Sequence, residues 1–284
     1  MKTCLVLEGG AMRGMFTAGV LDVLYENNID IDCIIGVSAG ALFGVNYFSK
    51  QPGRVIRYSK RFCNNYRYIS KLSLVFTGNI VNKNFAYYKV TKKLDKFDDE
   101  TFKKSNKKYY ATVTNLITGN AEYIPISSVM DSLEVLRASS SIPLVSKNVL
   151  LNDSLYLDGA ISDSIPVKKA LELGYDKIIV VLTRDKAYVK DKISLKEEKL
   201  IRRKYKKYPN FIDAMVNRSD MYNNEVNYVN ELEDKNNVFV VRPSKEINVN
   251  LIERNEDKLQ EIYDLGTLDM NNLIGELKKY LTKN

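Results

Sequence analysis

There is no histidine anywhere in the 284 residues. A Ser-His-Asp or Cys-His site needs an imidazole to take and return the proton, so every mechanism of that kind is excluded. Histidine-ligated zinc goes with it. Cysteine is scarce: Cys4, Cys33 and Cys63 are an odd number without C-x-x-C spacing. That argues against a disulfide framework or structural zinc and for three buried small hydrophobes. No run of 18 apolar residues occurs, and the apolar start at Cys4 to Leu7 is cut short by Glu8 before it reaches signal-peptide length. A cytoplasmic, non-spanning protein is the expectation. No internal repeat or low-complexity tract is present, and neither a metal nor a cofactor is implied.

What the chain does have is ordinary globular material, 45% hydrophobic and 27% charged, enough for a sizeable core. The net charge of +8 fits attraction to phosphate, on nucleic acid or on anionic lipid, and equally a solvated basic face. Along the chain, short buried runs alternate with helical patterns. Thr3–Leu7 reads as a strand, followed by a glycine-rich loop and a helix through Val20, Leu21, Val23 and Leu24. Asp32–Ile35 reads as a second buried strand that turns at Gly36–Gly40 into a helix from Ala41 to about Phe48. Tyr109–Thr114 and Ala121–Ile126 flank Gly119-Asn120 as a hairpin-like pair, with a helix over Asp131–Ala138 after it. Leu155–Leu157 leads into Asp158-Gly159, and Val167–Leu173 is helical with Gly174 as its stop. Lys177–Leu182 and Val238–Arg242 read as further strands, and two helical patterns, Glu256–Leu265 and Met270–Leu281, close the chain. This is the grammar of a mostly parallel, helix-covered sheet.

Three motifs carry chemistry. Gly36-Val37-Ser38-Ala39-Gly40 is a G-x-S-x-G match where a strand meets a helix. Its glycines allow a sharp turn that exposes the hydroxyl at the carboxyl end of the sheet, and the following helix dipole favours a developing alkoxide. Small residues at such a turn also serve packing alone. Gly9-Gly10-Ala11-Met12-Arg13-Gly14 leaves backbone N–H groups free in a concave turn suited to a phosphate or an oxyanion, or permits close helix-sheet packing. A dinucleotide loop requires glycine where Ala11 stands, and a Walker loop requires a Gly-Lys-Ser/Thr that is absent. Asp158-Gly159-Ala160 is by itself a turn signal. Without histidine, however, a serine needs another base, and an aspartate at a strand end is a suitable one.

Glu8–Gly14, Gly36–Gly40 and Asp158–Ala160, in this order and at these separations, resemble the patatin-like phospholipases, particularly their short bacterial members. The resemblance extends to about Arg184 and includes Ala138-Ser-Ser-Ser-Ile-Pro143, which is similar to a family segment preceding the aspartate strand. It implies a three-layer α/β/α fold with a mostly parallel central sheet, forming one domain over residues 1–284. The motifs lie in a core of about 1–184, and a basic segment and strand-helix part occupy about 185–284. It also implies a Ser-Asp dyad that hydrolyses lipid acyl esters without calcium in the catalytic site. Carried over residue by residue, Ser38 is the nucleophile, Asp158 the base, Gly9, Gly10 and Ala11 the oxyanion hole, and Arg13 an anion-adjacent neighbour of that loop. Ala11 replaces the usual third glycine, and its methyl is expected to narrow the hole.

A free aspartate, with a pKa of about 3.9, is a feeble base for serine, so a dry site that raises it is expected. The segment Arg184–Lys207 carries Lys186, Lys190, Lys192, Lys196, Lys199, Arg202, Arg203, Lys204, Lys206 and Lys207. It reads either as a solvated, mobile loop or as a peripheral contact to anionic membrane. Two other functions remain open. One is an acyltransferase in which an alcohol or lysolipid intercepts the acyl-enzyme. The other is a non-catalytic lipid or nucleic-acid binder, although no specific nucleic-acid motif is present.

Overall fold

A computed structural model describes residues 1–283. In chain order the elements are β1 (Thr3–Leu7), α1 (Gly14–Glu26), β2 (Cys33–Val37), α2 (Ala39–Phe48), α3 (Arg54–Phe62), α4 (Lys71–Thr77), a widely wound helix at Lys83–Leu94, and α5 (Asp99–Lys104). There follow β3 (Lys108–Asn115), β4 (Ala121–Pro125), α6 (Leu133–Ser139), β5 (Val149–Leu151), β6 (Ser154–Asp158), α7 (Val167–Glu172) and β7 (Lys177–Val181). The chain closes with α8 (Leu195–Lys204), α9 (Pro209–Val216), α10 (Arg218–Asp234), β8 (Phe239–Val241) and α11 (Glu256–Thr282).

The sheet runs β5-β6-β3-β2-β1-β7-β8, with β4 paired to β3. From β3 to β8 every pairing along this path is parallel, while β4, β5 and β6 join antiparallel. The central strands are buried along their whole length, as parallel strands covered on both faces must be. Strand alternation sends Leu5, Leu7 and Ile34 into a core shared with α1, α2 and α11. Their neighbours Cys4, Val6, Cys33 and Ile35 face the other way, against Val167 and Ala170 of α7 and Tyr222, Val229 and Leu232 of α10. Three layers result, as the family resemblance implied, and all three cysteines are buried and free. Among the described residues no helix is long and apolar enough to cross a membrane.

Two expectations need correction. The pair of C-terminal helical patterns is one helix of 27 residues, α11. Gly266, inside it, is a contact: a methyl there would lie 2.1 Å from the Phe16 carbonyl oxygen of α1. Gly19 of α1 answers it, since a methyl on Gly19 would lie 2.2 Å from the Tyr263 carbonyl oxygen. The two glycines let α1 and α11 approach backbone to backbone. The basic segment, read in one alternative as a mobile loop, contains α8. Its first turn is capped by the Ser194 hydroxyl accepting from the Glu197 N–H, and Ile201 is wholly buried.

Candidate functional site

The topology explains how Ser38 and Asp158 meet. Val113 pairs with Glu122 of β4 and with Asp158 of β6, so β4 and β6 flank opposite edges of β3. Parallel β2 occupies the same edge as β6, ending with Val37 opposite Thr112. Strands β2 and β6 therefore run head-on toward each other along one edge of β3, and their carboxyl ends meet between Thr112 and Val113. One contributes Ser38, the other Asp158.

At that junction the Ser38 hydroxyl donates to Asp158 Oδ2 at 2.7 Å. Both residues are buried, at 7% and 6% exposure, so bulk water does not compete for the contact. Ser38 has φ 53° and ψ −120°, a left-handed conformation that a serine adopts only when its surroundings enforce it, at a cost of about 1–3 kcal/mol. The enforcement is visible. The Ser38 N–H donates to Ser139 Oγ at 3.0 Å. A methyl on Gly36 would lie 2.6 Å from the Ala41 Cα, and one on Gly40 would lie 2.5 Å from the Leu7 carbonyl oxygen. The glycines of the G-x-S-x-G motif thus serve close approach, while the serine itself takes the strained dihedral.

Asp158 is braced from several sides. Its Oδ1 accepts from the Ala160 N–H at 2.9 Å, its own N–H donates to the Ser141 carbonyl at 3.0 Å, and its carbonyl accepts from Thr114 Oγ1 at 2.8 Å. Gly159 is required because a methyl there would lie 2.3 Å from the Thr112 carbonyl oxygen. Burial pushes the Asp158 carboxyl above the usual aspartate range, opposed by the Ala160 N–H, the Ser38 hydroxyl and the Arg218 charge. This is the direction a base for serine requires.

The glycine-rich loop lies directly over the serine. A methyl on Gly9 would lie 2.8 Å from the Ser38 Cβ, and one on Gly10 would lie 2.6 Å from Thr183 Oγ1. Gly9, Gly10, Ala11, Arg13, Ser38 and Asp158 line one small cavity, with Arg218 at its wall. A second, apolar cavity of about 130 Å³ also opens on Ser38 and is lined by Leu42, Phe43, Val90, Leu133 and Leu136 among others. Ala11 and Ser38 belong to both linings. Behind the loop, Glu8 is fully buried, and its carboxylate accepts from the Thr183 N–H and, at 2.9 Å, from the Tyr222 hydroxyl. Burial raises Glu8, opposed by the Thr183 N–H, the Arg13 charge and the Tyr222 hydroxyl.

Ala11 holds φ 47°, a region that favours glycine. Ala11→Val, a β-branched side chain at positive φ between the two cavities, is expected to cost about 1–3 kcal/mol of stability and to lower ester turnover at least tenfold. Ala11→Gly is expected to retain both. Thermal melts with turnover of a soluble ester measure the contrast, and equal behaviour of the two variants would contradict it.

All six residues singled out in the sequence converge here. Arg218 and Tyr222, supplied by α10, and Thr183 were not anticipated, since no motif marks them. Ser139 and Ser141 lie inside the Ala138–Pro143 segment that had been noted, without a role having been read for them.

With this geometry in place, the comparisons with known proteins can be stated. A model of the patatin-like phospholipase family matches residues 5–171, more than half of the chain. The chain belongs to the patatin-like phospholipase family. A separate model, described as a domain of unknown function, matches residues 208–282. The uncharacterized protein YjjU of Escherichia coli (strain K12) is 31% identical over 189 residues, covering 64% of this chain and 52% of its own length. The lysophospholipase nte1 of Aspergillus oryzae is 28% identical over 184 residues, covering 62% of this chain and 11% of its own. This patatin-like chain thus spans about half the length of the first relative and about a tenth of the second. Among solved structures, VipD from Legionella pneumophila aligns with a TM-score of 0.48 at 12% identity, covering 97% of this chain and 67% of that one.

Proposed function

We propose that this patatin-like protein is a lipid acyl hydrolase that works through a Ser38-Asp158 dyad and an acyl-enzyme. The observation that carries the reading is the buried 2.7 Å hydrogen bond from a strained serine to an aspartate whose carboxyl is raised by burial. Asp158 takes the proton as Ser38 Oγ attacks the ester carbonyl. The N–H groups of Gly9, Gly10 and Ala11 face the developing oxyanion, and Asp158 returns the proton to the departing alkoxide. Water then repeats the sequence on the acyl-enzyme, releasing a fatty acid. The apolar cavity receives the acyl chain, and the name borne by the fungal relatives, lysophospholipase, supports a single-chain lipid ester. In this reading residues 1–284 act as one domain, because the core containing Leu5 and Leu7 also contains Leu259 and Leu277 of the C-terminal helix.

The test is product analysis of a monoacyl lipid ester with and without an added alcohol acceptor. Free fatty acid equal to the alcohol released, unaffected by the acceptor, is the expected result. An acyl-transfer product in place of fatty acid would make the protein an acyltransferase, and no product at all would make it a binder.

The exposed cations of α8 and of the turn that follows it support a peripheral contact with anionic membrane. Arg203, Lys204, Lys206 and Lys207 make no ion pair among the described residues, whereas Arg202 is engaged by Glu198 at 2.7 Å. Replacing those four with glutamine is expected to lower binding to anionic vesicles severalfold, at about 1 kcal/mol per cation at most. Added salt should do the same, while turnover of a soluble ester stays constant. Equal vesicle binding by wild type and variant at low salt would contradict the membrane role and leave the dyad untouched.

A further inference from the structure

The turn that follows Asp158 is held from outside by α10, and Arg218 is only half of the hold. Arg218 and Glu225 lie two helical turns apart on one face of α10, and both bind the stretch from Ala160 to Ile165. Glu225 Oε2 accepts from the Ser164 N–H and from the Ile165 N–H, each at 3.1 Å. Ser164 Oγ donates to the Ala160 carbonyl at 2.8 Å, and the same carbonyl accepts from Arg218 Nε at 2.7 Å. The Ala160 N–H in turn donates to Asp158 Oδ1 at 2.9 Å. A hydrogen-bonded path therefore runs from Glu225 through Ser164 and Ala160 to the carboxyl group that the dyad uses.

Glu225 meets a second acid there. The carboxyl of Asp163, inside the turn, is within hydrogen-bond reach of the Glu225 carboxyl, and both residues are partly buried. Asp163 Oδ2 accepts from the Tyr123 hydroxyl of β4, and the Asp163 N–H donates to the Gly159 carbonyl at 3.0 Å. Two acids this close in a half-dry place do not both carry charge; one proton shared between them turns one carboxyl into a donor to the other. Burial raises both, and the Asp163 charge raises Glu225 further, while the Tyr123 hydroxyl and the Lys168 charge oppose the rise at Asp163. The other titratable groups around the pair are Tyr123, itself raised by burial and by the Asp163 charge, and Lys168, Lys169 and Glu172 of α7. Lys168 stands over the Tyr228 ring at 5.2 Å, and Lys169 is paired with Glu172 at 3.2 Å. Among the described residues neither Asp163 nor Glu225 forms an ion pair, so a proton and not a cation joins them.

We propose that Glu225 is a positioning residue for the dyad: with Asp163 it forms a one-proton clamp that docks α10 on the turn after Asp158 and keeps the Ala160 N–H on the base. The inference rests on the hydrolase reading and adds a control on the same site. While the pair holds its proton the clamp is closed, the turn is fixed, and Asp158 is aimed at Ser38. When the last proton leaves, two carboxylates face each other, α10 is pushed from the turn, and the support of Asp158 loosens. Helix α10 lies within residues 208–282, the region matched by the domain of unknown function. That region then acts as the brace of the dyad's aspartate.

The experiment measures kcat and KM for a soluble ester from neutral to alkaline pH in wild type, Glu225→Ala, Glu225→Gln and Asp163→Asn, with thermal melts alongside. Glu225→Ala is expected to lower kcat at least about tenfold at every pH and to leave KM within about twofold, because the residue acts through the turn and not on substrate. Glu225→Gln keeps an oxygen for the two N–H groups and offers its amide N–H to Asp163, so it should restore kcat at neutral pH. Wild type should lose kcat on the alkaline side as the pair gives up its last proton, and that limb should be lost from Glu225→Gln and from Asp163→Asn. A merely structural glutamate would not change the pH profile. Should Glu225→Ala fail to fold, the two amide variants carry the test. Equal pH profiles in wild type and both amide variants would overturn the proposal, as would full kcat in a folded Glu225→Ala. Failure of the hydrolase reading shows itself differently, as no ester turnover by wild type, and the melts then report on the clamp. The folded pKa values of the pair lie above the unfolded values of about 4, so their stability is present below that pH and is lost as pH rises through the folded values. The melting temperature of Glu225→Gln should therefore climb relative to wild type from acid to alkaline pH, and a constant difference would overturn the clamp.

Discussion

Asp158→Asn is expected to lower kcat on a soluble ester by about a thousandfold or more, Ser38→Ala by at least as much, and the double variant little further. Residues that act as one unit do not contribute additively, since removal of either disables the same step. The carboxamide retains the shape of Asp158 and can still meet the Ala160 N–H and the Ser38 hydroxyl, but it cannot take a proton. The same substitution should raise stability. Burial holds the folded pKa of Asp158 above its unfolded value of about 3.9. The associated stability is therefore fully present below that unfolded value and is lost as pH rises through the folded pKa. At pH 7 the wild type carries a buried carboxylate at a cost that asparagine avoids, so the variant should melt higher than wild type there. Near pH 3 the difference should vanish. A lower melting temperature at pH 7, with turnover retained, would contradict both halves of the argument.

Gly266→Val is expected to cost about 3 kcal/mol or more and to reduce turnover as well. The new side chain would begin 2.1 Å from the Phe16 carbonyl oxygen, a backbone atom that can move only if α1 or α11 moves. Helix α1 cannot shift locally, because it begins at Gly14, directly after the loop that lies over Ser38, and a methyl on Gly14 itself would meet the Phe43 ring at 2.8 Å. Separation of α1 from α11 would therefore be transmitted to the loop. Gly275, on the same helix, is the control. Nothing lies within 4 Å of a methyl placed there, so Gly275→Ala should stabilise by up to about 1 kcal/mol through helix propensity alone. Chemical denaturation of the two variants measures the contrast. A similar loss in both would mean that the glycine at 266 matters only as a residue inside a helix.

The site was legible in the sequence because its constraints are local. A strand of five buried residues, a turn that requires glycine, and a helix beginning at once are written in consecutive positions, as in Cys33–Phe48. The missing histidine then directed attention to an aspartate at a strand end. The head-on meeting of β2 and β6 was not legible, since it depends on β6 pairing antiparallel with the far half of β3, a long-range register no local pattern records. Helix α10 escaped for another reason. Its buried side consists of Ser219, Tyr222, Val229 and Leu232, set among asparagines and acids, so the apolar stripe is too thin to read by periodicity. Yet this helix brings Arg218 and Tyr222 to the site. The purpose of Gly266, close contact with Phe16 about 250 residues earlier, is invisible until the fold is known.

The most direct measurement is the rate at which a fluorophosphonate modifies the protein, followed by intact mass and mapped by peptide sequencing. Phosphonylation uses the nucleophile, its base and the oxyanion loop but no lipid surface and no acyl cavity, so it isolates the dyad from recruitment and specificity. Wild type should react to one equivalent on Ser38, Asp158→Asn should react slower by orders of magnitude, and Ser38→Ala should not react at all. An adduct on another residue, or equal rates in wild type and Asp158→Asn, would contradict the account.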